Sequence, residues 1–508
     1  MKYLLGIDIG TSGTKLTLVD TRGVEIASSL AEYALYQEQI GWAEQNPLDW
    51  WNATIEACKR VISKSGVDSH NIAGVGLTGQ MHGLVMLDFN GEVLRKSIIW
   101  CDQRTEKESR QITSIIGHDR LIEITANPSI TGFTASKILW VRNNEPIIFS
   151  KCRKILLPKD FVRYKLTGEF ATDVSDASGT QLLDVKNRCW SKEVLEKLDL
   201  DINLLARVYE SPEITGRITS TTALLTGLVE GTPVVAGAGD NASAAVGVGV
   251  VVDNKAFTTI GTSGVVFAHT SKMKIDPRGR VHTFCSAVPG EWHVMGVTQA
   301  AGLSLQWFKN NFCLEEQQLS TIEKMDPYDI MSREAAQIPI GSNKLIYLPY
   351  LMGERTPHLD PTCRGVFFGL SAKHTRANLI RAVMEGVTFS LLDCVSIFRE
   401  MGISFPEMLI CGGGGKSSFW RSMISDVYDC RVKTLASSEG PAFGSAILAS
   451  VGVGIHDSVS QACDAMVREN EVTEPNHNSN VEYMKYYEIY KNLYPSLVSE
   501  FKNLESLQ

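Results

Sequence analysis

Short apolar runs alternate with Gly-rich turns and amphipathic stretches along most of the 508 residues. Residues 3–9 (YLLGIDI) read as a buried strand. After GTSGTK (10–15), a β-rich run from Leu16 to Val19 completes a strand–turn–strand unit. The same unit returns as Ala256 to Ile260, GTSG (261–264) and VVFA. A supersecondary unit that recurs half-way along a chain predicts two lobes of similar build. IAGVGLTG (72–79) and KILLP (154–158) predict further buried strands, and the apolar spacing over 47–63 and 300–309 predicts helices. The Gly- and Ala-rich segment 237–249 predicts a helix packed close to its neighbours. Aromatic residues at helical spacing from Tyr483 to Phe501 predict a helix docked on the second lobe. Strands alternating with helices in this way indicate α/β layers.

Composition narrows the function classes. Hydrophobic residues at 44% and charged residues at 21% are those of a soluble globular protein. A net charge of −8 without a basic patch argues against nucleic acid as a partner, so anions must be met by local donors. Eleven cysteines show neither CxxC spacing nor a neighbouring His cluster. That pattern argues against a zinc site and a disulfide framework, and it suits a cytoplasmic protein. Asp8 interrupts the first apolar run too early for a secretory signal. Asp240 and Asn241 interrupt the most apolar stretch, 234–252, so no membrane association is expected.

Three Gly-rich motifs compete to hold phosphate, because backbone amides without side chains can approach an anion. The first is GTSGTK with its echo at 261–264, where Lys15 adds charge. Asp8 stands just before it in an apolar strand, and a buried carboxylate there calls for a partner such as hydrated Mg²⁺. The plainer reading is a tight hairpin with a capping Asp. The second is CGGGGKSS (411–418), which is not a Walker A loop because Ile410 occupies its first Gly position. It still forms a strand-to-helix turn able to cradle a nucleotide. The third, GAGDNA (237–242), fits the loose dinucleotide pattern and supports an NAD(P)-dependent oxidoreductase as an alternative. Asp240 would repel a pyrophosphate, however. Beside a sugar hydroxyl it makes sense as a general base, and at a helix start it makes sense as a cap. GQMHG (79–83) and WCDQRT (100–105) add polar residues at strand ends, the usual place for ligand contacts in α/β layers.

Taken together, these motifs resemble the FGGY family of carbohydrate kinases over nearly the whole chain. GIDIGTSGTK and IGTSG resemble its two phosphate hairpins, and GGGGKSSFW its adenine-nucleotide motif. GFTASKILWVRN (132–143) and GVFFGLSAKHTRANLIRAVMEG (365–386) resemble its two signatures. GQMHG, LLPKDFVRYKLTGEF, SDASGT and GERTPH most resemble the members that act on xylulose, whereas glycerol-specific members carry Arg-Glu in place of Met81-His82.

The resemblance implies two ribonuclease-H-like lobes, as in actin, hexokinase and the heat-shock ATPases, with the active site between them. It implies a sugar-binding lobe over 1–250 and a nucleotide-binding lobe over 251–508. It makes Asp240 the catalytic base and sets Asp8 and Asp240 beside Mg²⁺. Thr11, Ser12, Gly13, Lys15, Gly261 and Thr262 become phosphate contacts. Gly302, Gln306, Gly413, Gly414 and Ser417 become contacts on the adenosine side of ATP, and Met81, His82, Asp240 and Asn241 contacts of the sugar. Lys15 replaces the Arg of several relatives, keeping the charge but losing the fork. The implied reaction is in-line transfer of the ATP γ-phosphoryl group to a terminal hydroxyl of an open-chain ketose. Sugar and ATP are then the partners, and a homodimer is compatible with the chain. A non-catalytic, actin-like or sugar-sensing protein is the other alternative, and retention of both Asp8 and Asp240 speaks against it.

Overall fold

Two strands joined by the first GTSG turn, Tyr3–Ile9 (β1) and Gly13–Asp20 (β2), open the first sheet. The computed structural model describes residues 1–436 and 440–507. Glu25–Glu32 (β3) continues antiparallel to β2, and Ile72–Gly79 (β4) lies parallel to β1 on its other side. Ile214–Arg217 (β5) and Pro233–Val235 (β6) extend the sheet to the order β5-β6-β4-β1-β2-β3, and Ala238–Gly239 (β7) pairs with the end of β4. Between β3 and β4 runs helix Pro47–Ser65 (α1). Asn46 caps it, Pro47 occupies its first turn and Gly66 ends it in the left-handed region. Its buried Trp50, Ala57 and Val61 pack on the sheet with Leu16 and Leu18. Helices Thr134–Asn144 (α2) and Asp240–Gly247 (α3) complete what bears on the site in this lobe.

The second sheet repeats the plan. Lys255–Ile260 (β8) and Gly264–Thr270 (β9) form its hairpin, with His282–Cys285 (β10) and Trp292–Thr298 (β11) on one side. Glu407–Cys411 (β12), Arg431–Leu435 (β13) and Glu469–Thr473 (β14) follow on the other, giving β10-β11-β9-β8-β12-β13-β14. In both sheets the first strand of the hairpin runs parallel to a later strand, β1 with β4 and β8 with β12. The recurrent GTSG unit therefore marks two lobes of one topology. Helix Gly302–Phe312 (α4) starts beside the second hairpin. Arg376–Glu400 (α5) is buried along most of its length, and Ser418–Tyr428 (α6) follows the tetraglycine turn.

Helix Pro441–Gly452 (α7) returns to the first sheet, although it follows β13 in sequence. Phe443, Ala446 and Ile447 join Leu4, Val19 and Val235 in one apolar cluster. The approach needs glycine. A Cβ on Gly6 would stand 1.8 Å from the Ala442 carbonyl oxygen, and one on Gly76 1.8 Å from that of Ser445. On its other side α7 meets α3, where Ser243 donates to the Pro441 carbonyl at 2.7 Å. The Gly/Ala pattern of 237–249 thus does accompany close helix packing. The C-terminal helix His477–Glu505 (α8) docks on the second lobe through Tyr483, Tyr487, Tyr490 and Phe501.

Candidate active site

The first hairpin turn is fixed by its own carbonyls. Tyr33 Oη donates to the Gly10 carbonyl at 2.5 Å and Gln80 Nε2 to the same oxygen at 3.2 Å. Gln45 Nε2 reaches the Thr11 carbonyl at 2.7 Å, and Trp100 Nε1 the Thr11 hydroxyl at 3.0 Å. With its carbonyls held inward, the turn keeps Thr11 and Ser12 at the partly or fully exposed lip. Asp8 pairs across the sheet with Lys15 and Thr78. Its Oδ1 is sealed from solvent without a hydrogen-bond partner. Burial pushes its carboxyl up to about 7, the charge of Asp240 adds to this, and Lys15 opposes it.

Asp240 begins α3, directly after β7. It is the first helical residue, not the cap, which is Gly239. Its Oδ1 accepts from the Asn241 backbone N–H at 2.8 Å and from Asn241 Nδ2 at 2.9 Å. Burial raises its carboxyl to about 6 against those two bonds. Asp8 and Asp240 are thus two neighbouring acids, each held above the ordinary carboxylate range. Among the described residues no group of three or more His, Cys, Asp or Glu could hold a metal ion. An orphaned carboxylate oxygen beside a second carboxylate nevertheless fits Mg²⁺, which takes one or two carboxylates and fills its shell with phosphate and water.

Met81 and His82 follow β4. His82 takes a positive φ of 68°, and its carbonyl accepts from Lys137 Nζ at 2.9 Å and the Thr134 hydroxyl at 3.1 Å. Its Nδ1 lies 2.7 Å from the Gly179 carbonyl. A carbonyl only accepts, so Nδ1 carries the proton and Nε2 remains an acceptor. Burial and the Lys137 charge hold the ring well below its usual range and hence neutral. Met81 lies between His82 and Asp240. A Cβ on Gly239 would stand 2.9 Å from its Cγ, and one on Gly179 2.9 Å from its Cε. Asp102 and Arg104, the other polar pair at a strand end, bond each other at 2.7 Å. Arg104 also bonds Glu44 and stacks on Trp42, so their polar capacity is spent on the fold.

In the second lobe, the amides of Gly302 and Leu303 cap the carbonyls of Gly261 and Thr262 at 2.7 and 3.1 Å. A side chain at 302 would collide with the Gly261 carbonyl at 2.4 Å. Gly261, Thr262, Gly302, Gln306, Gly413, Gly414 and Ser417 all line one cavity of about 470 Å³. Ser417 also caps α6 by accepting from Trp420 N–H. A second cavity, about 680 Å³, has Asp240 and Asn241 on one wall and Thr259, Gly412 and Gly415 on the other. Lys416 lines both cavities. Sequence reasoning missed Tyr328, Ser332 and Lys416 on the nucleotide side, and Lys137 behind His82. Lys416 stands inside the quoted CGGGGKSS turn, and Lys137 shows as a lysine within the largely apolar run FTASKILW.

Beneath α3 lies a fully buried ionic cluster. Lys159 bonds Asp160 at 2.6 Å, Asp173 at 2.8 Å and Asp176 at 3.3 Å, and Arg163 also bonds Asp160. Asp173 accepts from the Ser175 hydroxyl at 2.5 Å, and that hydroxyl accepts from the Gly239 N–H, one residue before Asp240.

Comparison with known proteins agrees with this architecture. Residues 3–247 match the N-terminal domain of the FGGY family of carbohydrate kinases, and 256–453 its C-terminal domain. A xylulose kinase of Bacillus subtilis is 40% identical over 494 residues, 97% of each chain. The structure of a ligand-bound xylulose kinase from Lactobacillus acidophilus superposes with a TM-score of 0.92 at 26% identity, covering 99% of this chain and 100% of that one. A gluconate kinase from the same organism superposes almost as well, with a TM-score of 0.91 at 26% identity and 99% of both chains covered. Fold likeness therefore does not choose the sugar.

Proposed function

The chain belongs to the FGGY family of carbohydrate kinases, and from that premise we propose that its acceptor is D-xylulose, phosphorylated at the 5-hydroxyl. That it is an ATP-dependent carbohydrate kinase follows from the family. The choice of xylulose is supported by the Bacillus subtilis relative at 40% identity and by Met81-His82 on the sugar side. The observation that carries the mechanism is the cavity with Asp240 and Asn241 on one wall and the tetraglycine turn on the other.

In this reading the adenosine lies in the cavity lined by Gln306, Gly413 and Ser417, and its phosphates run past Thr262 toward the first hairpin. Gly13, Lys15, Thr11 and Ser12 meet the far end of the triphosphate. Asp240 orients the acceptor hydroxyl and takes its proton as the oxygen bonds to phosphorus. The transition state is loose, so positioning counts for more than base strength. Asp8 and Asp240 would hold Mg²⁺, which neutralises charge on the phosphates. His82 Nε2 accepts from a sugar hydroxyl, and Asn241 fixes the Asp240 carboxylate. Among the described residues no helix is long and apolar enough to cross a membrane. We place the enzyme in the cytoplasm, where its ATP is.

The test is MgATP-dependent ADP release with D-xylulose, D-ribulose, glycerol and D-gluconate in parallel. D-xylulose should give the highest kcat/KM. Fast turnover of glycerol or gluconate with none on either pentulose would overturn the choice of acceptor and leave the kinase assignment standing.

A further inference from the structure

Among the described residues, the Arg355 guanidinium between the lobes has no hydrogen-bond or ion-pair partner. Arg355 belongs to the loop 353–358 of the second lobe, which is stapled to the end of β11. Thr356 N–H donates to the Val297 carbonyl at 3.0 Å, and Val297 N–H to the Thr356 hydroxyl at 3.2 Å. Glu354 accepts from the N–H groups of Gln299 and Arg355, both at 2.8 Å, and from the Ser390 hydroxyl at 3.2 Å. The loop is thus rigid, and its acid is spoken for. Burial lifts the Glu354 carboxyl to about 8, and its oxygens accept from backbone N–H groups and Ser390 rather than from the Arg355 guanidinium.

From this base Arg355 crosses to the first lobe. One guanidinium nitrogen lies 3.4 Å from where a Cβ on Gly132 would stand. Gly132 and His82 are the two residues whose carbonyls Lys137 clamps, at 2.7 and 2.9 Å. The Arg355 charge is felt by His82, Lys137 and His282. Among the described residues its guanidinium makes no hydrogen bond and no ion pair. The side chain is partly open to solvent. Five donors stand ready in a fixed fork beside Lys137, and among the described residues no group accepts from them.

The wall of the cleft gives this fork a position along the substrate. Gly239, next to Asp240, packs on Met81, Met81 packs on Gly179 beside His82, and the His82 carbonyl leads to Lys137, which also holds the Gly132 carbonyl beside Arg355. With the reacting 5-hydroxyl at Asp240, the far end of an open-chain pentulose is its ketone end. We propose that Arg355 recognises that end, donating paired hydrogen bonds to the C2 carbonyl and C1 hydroxyl oxygens of the acceptor. Arg355 is thus the residue by which the nucleotide lobe reads the sugar. This rests on the ketose reading above.

The experiment compares wild type with Arg355→Gln and Arg355→Lys in the full chain. It measures kcat/KM for D-xylulose, Ki for xylitol as a competitor, and ADP affinity. Xylitol has the same carbons but no carbonyl. Arg355→Gln should lower kcat/KM for D-xylulose about 10- to 100-fold, the scale of a lost charge-assisted bond. Xylitol keeps acceptor oxygens at C1 and C2 but not the planar ketone that matches the fork, so its Ki should rise by clearly less than the D-xylulose loss. ADP affinity should be unchanged, and Arg355→Lys should recover part of the loss. Equal weakening of D-xylulose and xylitol, loss of ADP affinity, or a kcat/KM within about twofold of wild type would each overturn the assignment. If Arg355→Gln fails to fold, the same ratio is read on Arg355→Lys. A wild-type enzyme inactive on every pentulose would instead overturn the ketose reading, which is visible before any variant is made.

Discussion

At the scale of single residues, the two acids of the cleft are held against their own preference. Asp240 has its carboxyl raised to about 6 by burial, yet as a base it must be ionised. Activity should therefore fall as pH drops through about 6, and kcat/KM for the sugar should show that acid limb. Asp240→Asn should lower kcat by about 10²- to 10⁴-fold with ADP affinity intact. Near-normal turnover in that variant would leave the residue a mere helix opener. Asp8 bears on stability as well. Its carboxyl titrates near 7 in the fold and near 3.8 when unfolded. The native state thus binds the extra proton, so the Asp8 contribution to stability is full below about 3.8 and is lost as pH rises through about 7. Asp8→Asn removes that loss. The variant should melt a few degrees above wild type at pH 8, and the gap should close toward pH 4. It should also need more Mg²⁺ for half-maximal rate. A gap that does not change with pH, or an unshifted magnesium titration, would contradict this account. Asp8 and Asp240 were conspicuous in the sequence because a carboxylate inside an apolar run has few bland explanations. Lys137 shows only as a lysine within a largely apolar run, and nothing local to it or to Arg355 shows which distant segments each one faces.

At the scale of elements, local pattern was a good guide where an element carries its own signals. The strands at 3–9 and 72–79 and the helix after the tetraglycine turn stand where alternation and capping residues place them. What the pattern could not give is the destination of α7. Its sequence, PAFGSAILASVG, is apolar all round, which fixes burial but not a partner. The partner is read only from small residues on two distant segments. A Cβ on Gly444 would lie 1.8 Å from the Ser243 carbonyl oxygen, and one on Gly247 2.8 Å from that of Gly440. Since α3 begins with Asp240, this crossing holds the proposed base in place. Gly444→Val should destabilise the protein by about 1–3 kcal/mol or more through overpacking, and it should lower kcat as α3 is pushed away. Gly440→Ala is the control, because a Cβ there meets nothing within 4 Å. Equal melting temperatures for the two variants would show that the crossing is looser than its geometry.

At the scale of the whole molecule, the parts needed for transfer are divided between the lobes. Asp8, Asp240 and the first hairpin belong to one, whereas Thr262, Gln306 and the tetraglycine turn belong to the other. The repeated hairpin made two lobes legible in the sequence, but not their relative placement, since no residue pattern encodes the width of a cleft. That width matters, because reacting atoms must come to about 3–3.5 Å before transfer. A cavity of about 680 Å³ between Asp240 and the tetraglycine turn leaves room for the lobes to approach. The contacts that would reward closure come from both ligands. In the proposed reading the second lobe holds most of the nucleotide, and Met81, His82 and Asn241 of the first hold the sugar, with Arg355 reaching over from the second. In that reading each ligand bridges the lobes at a different place, ATP at the first hairpin and the sugar at Arg355, so closure should be complete only with both. The measurement is the radius of gyration of Asp240→Asn, which should turn its ligands over slowly, with MgATP, with D-xylulose and with the two together. Only the ternary mixture should contract fully. Contraction complete with MgATP alone would mean that the sugar takes no part in closing the cleft. No contraction in any mixture would mean that the lobes already stand at their working distance.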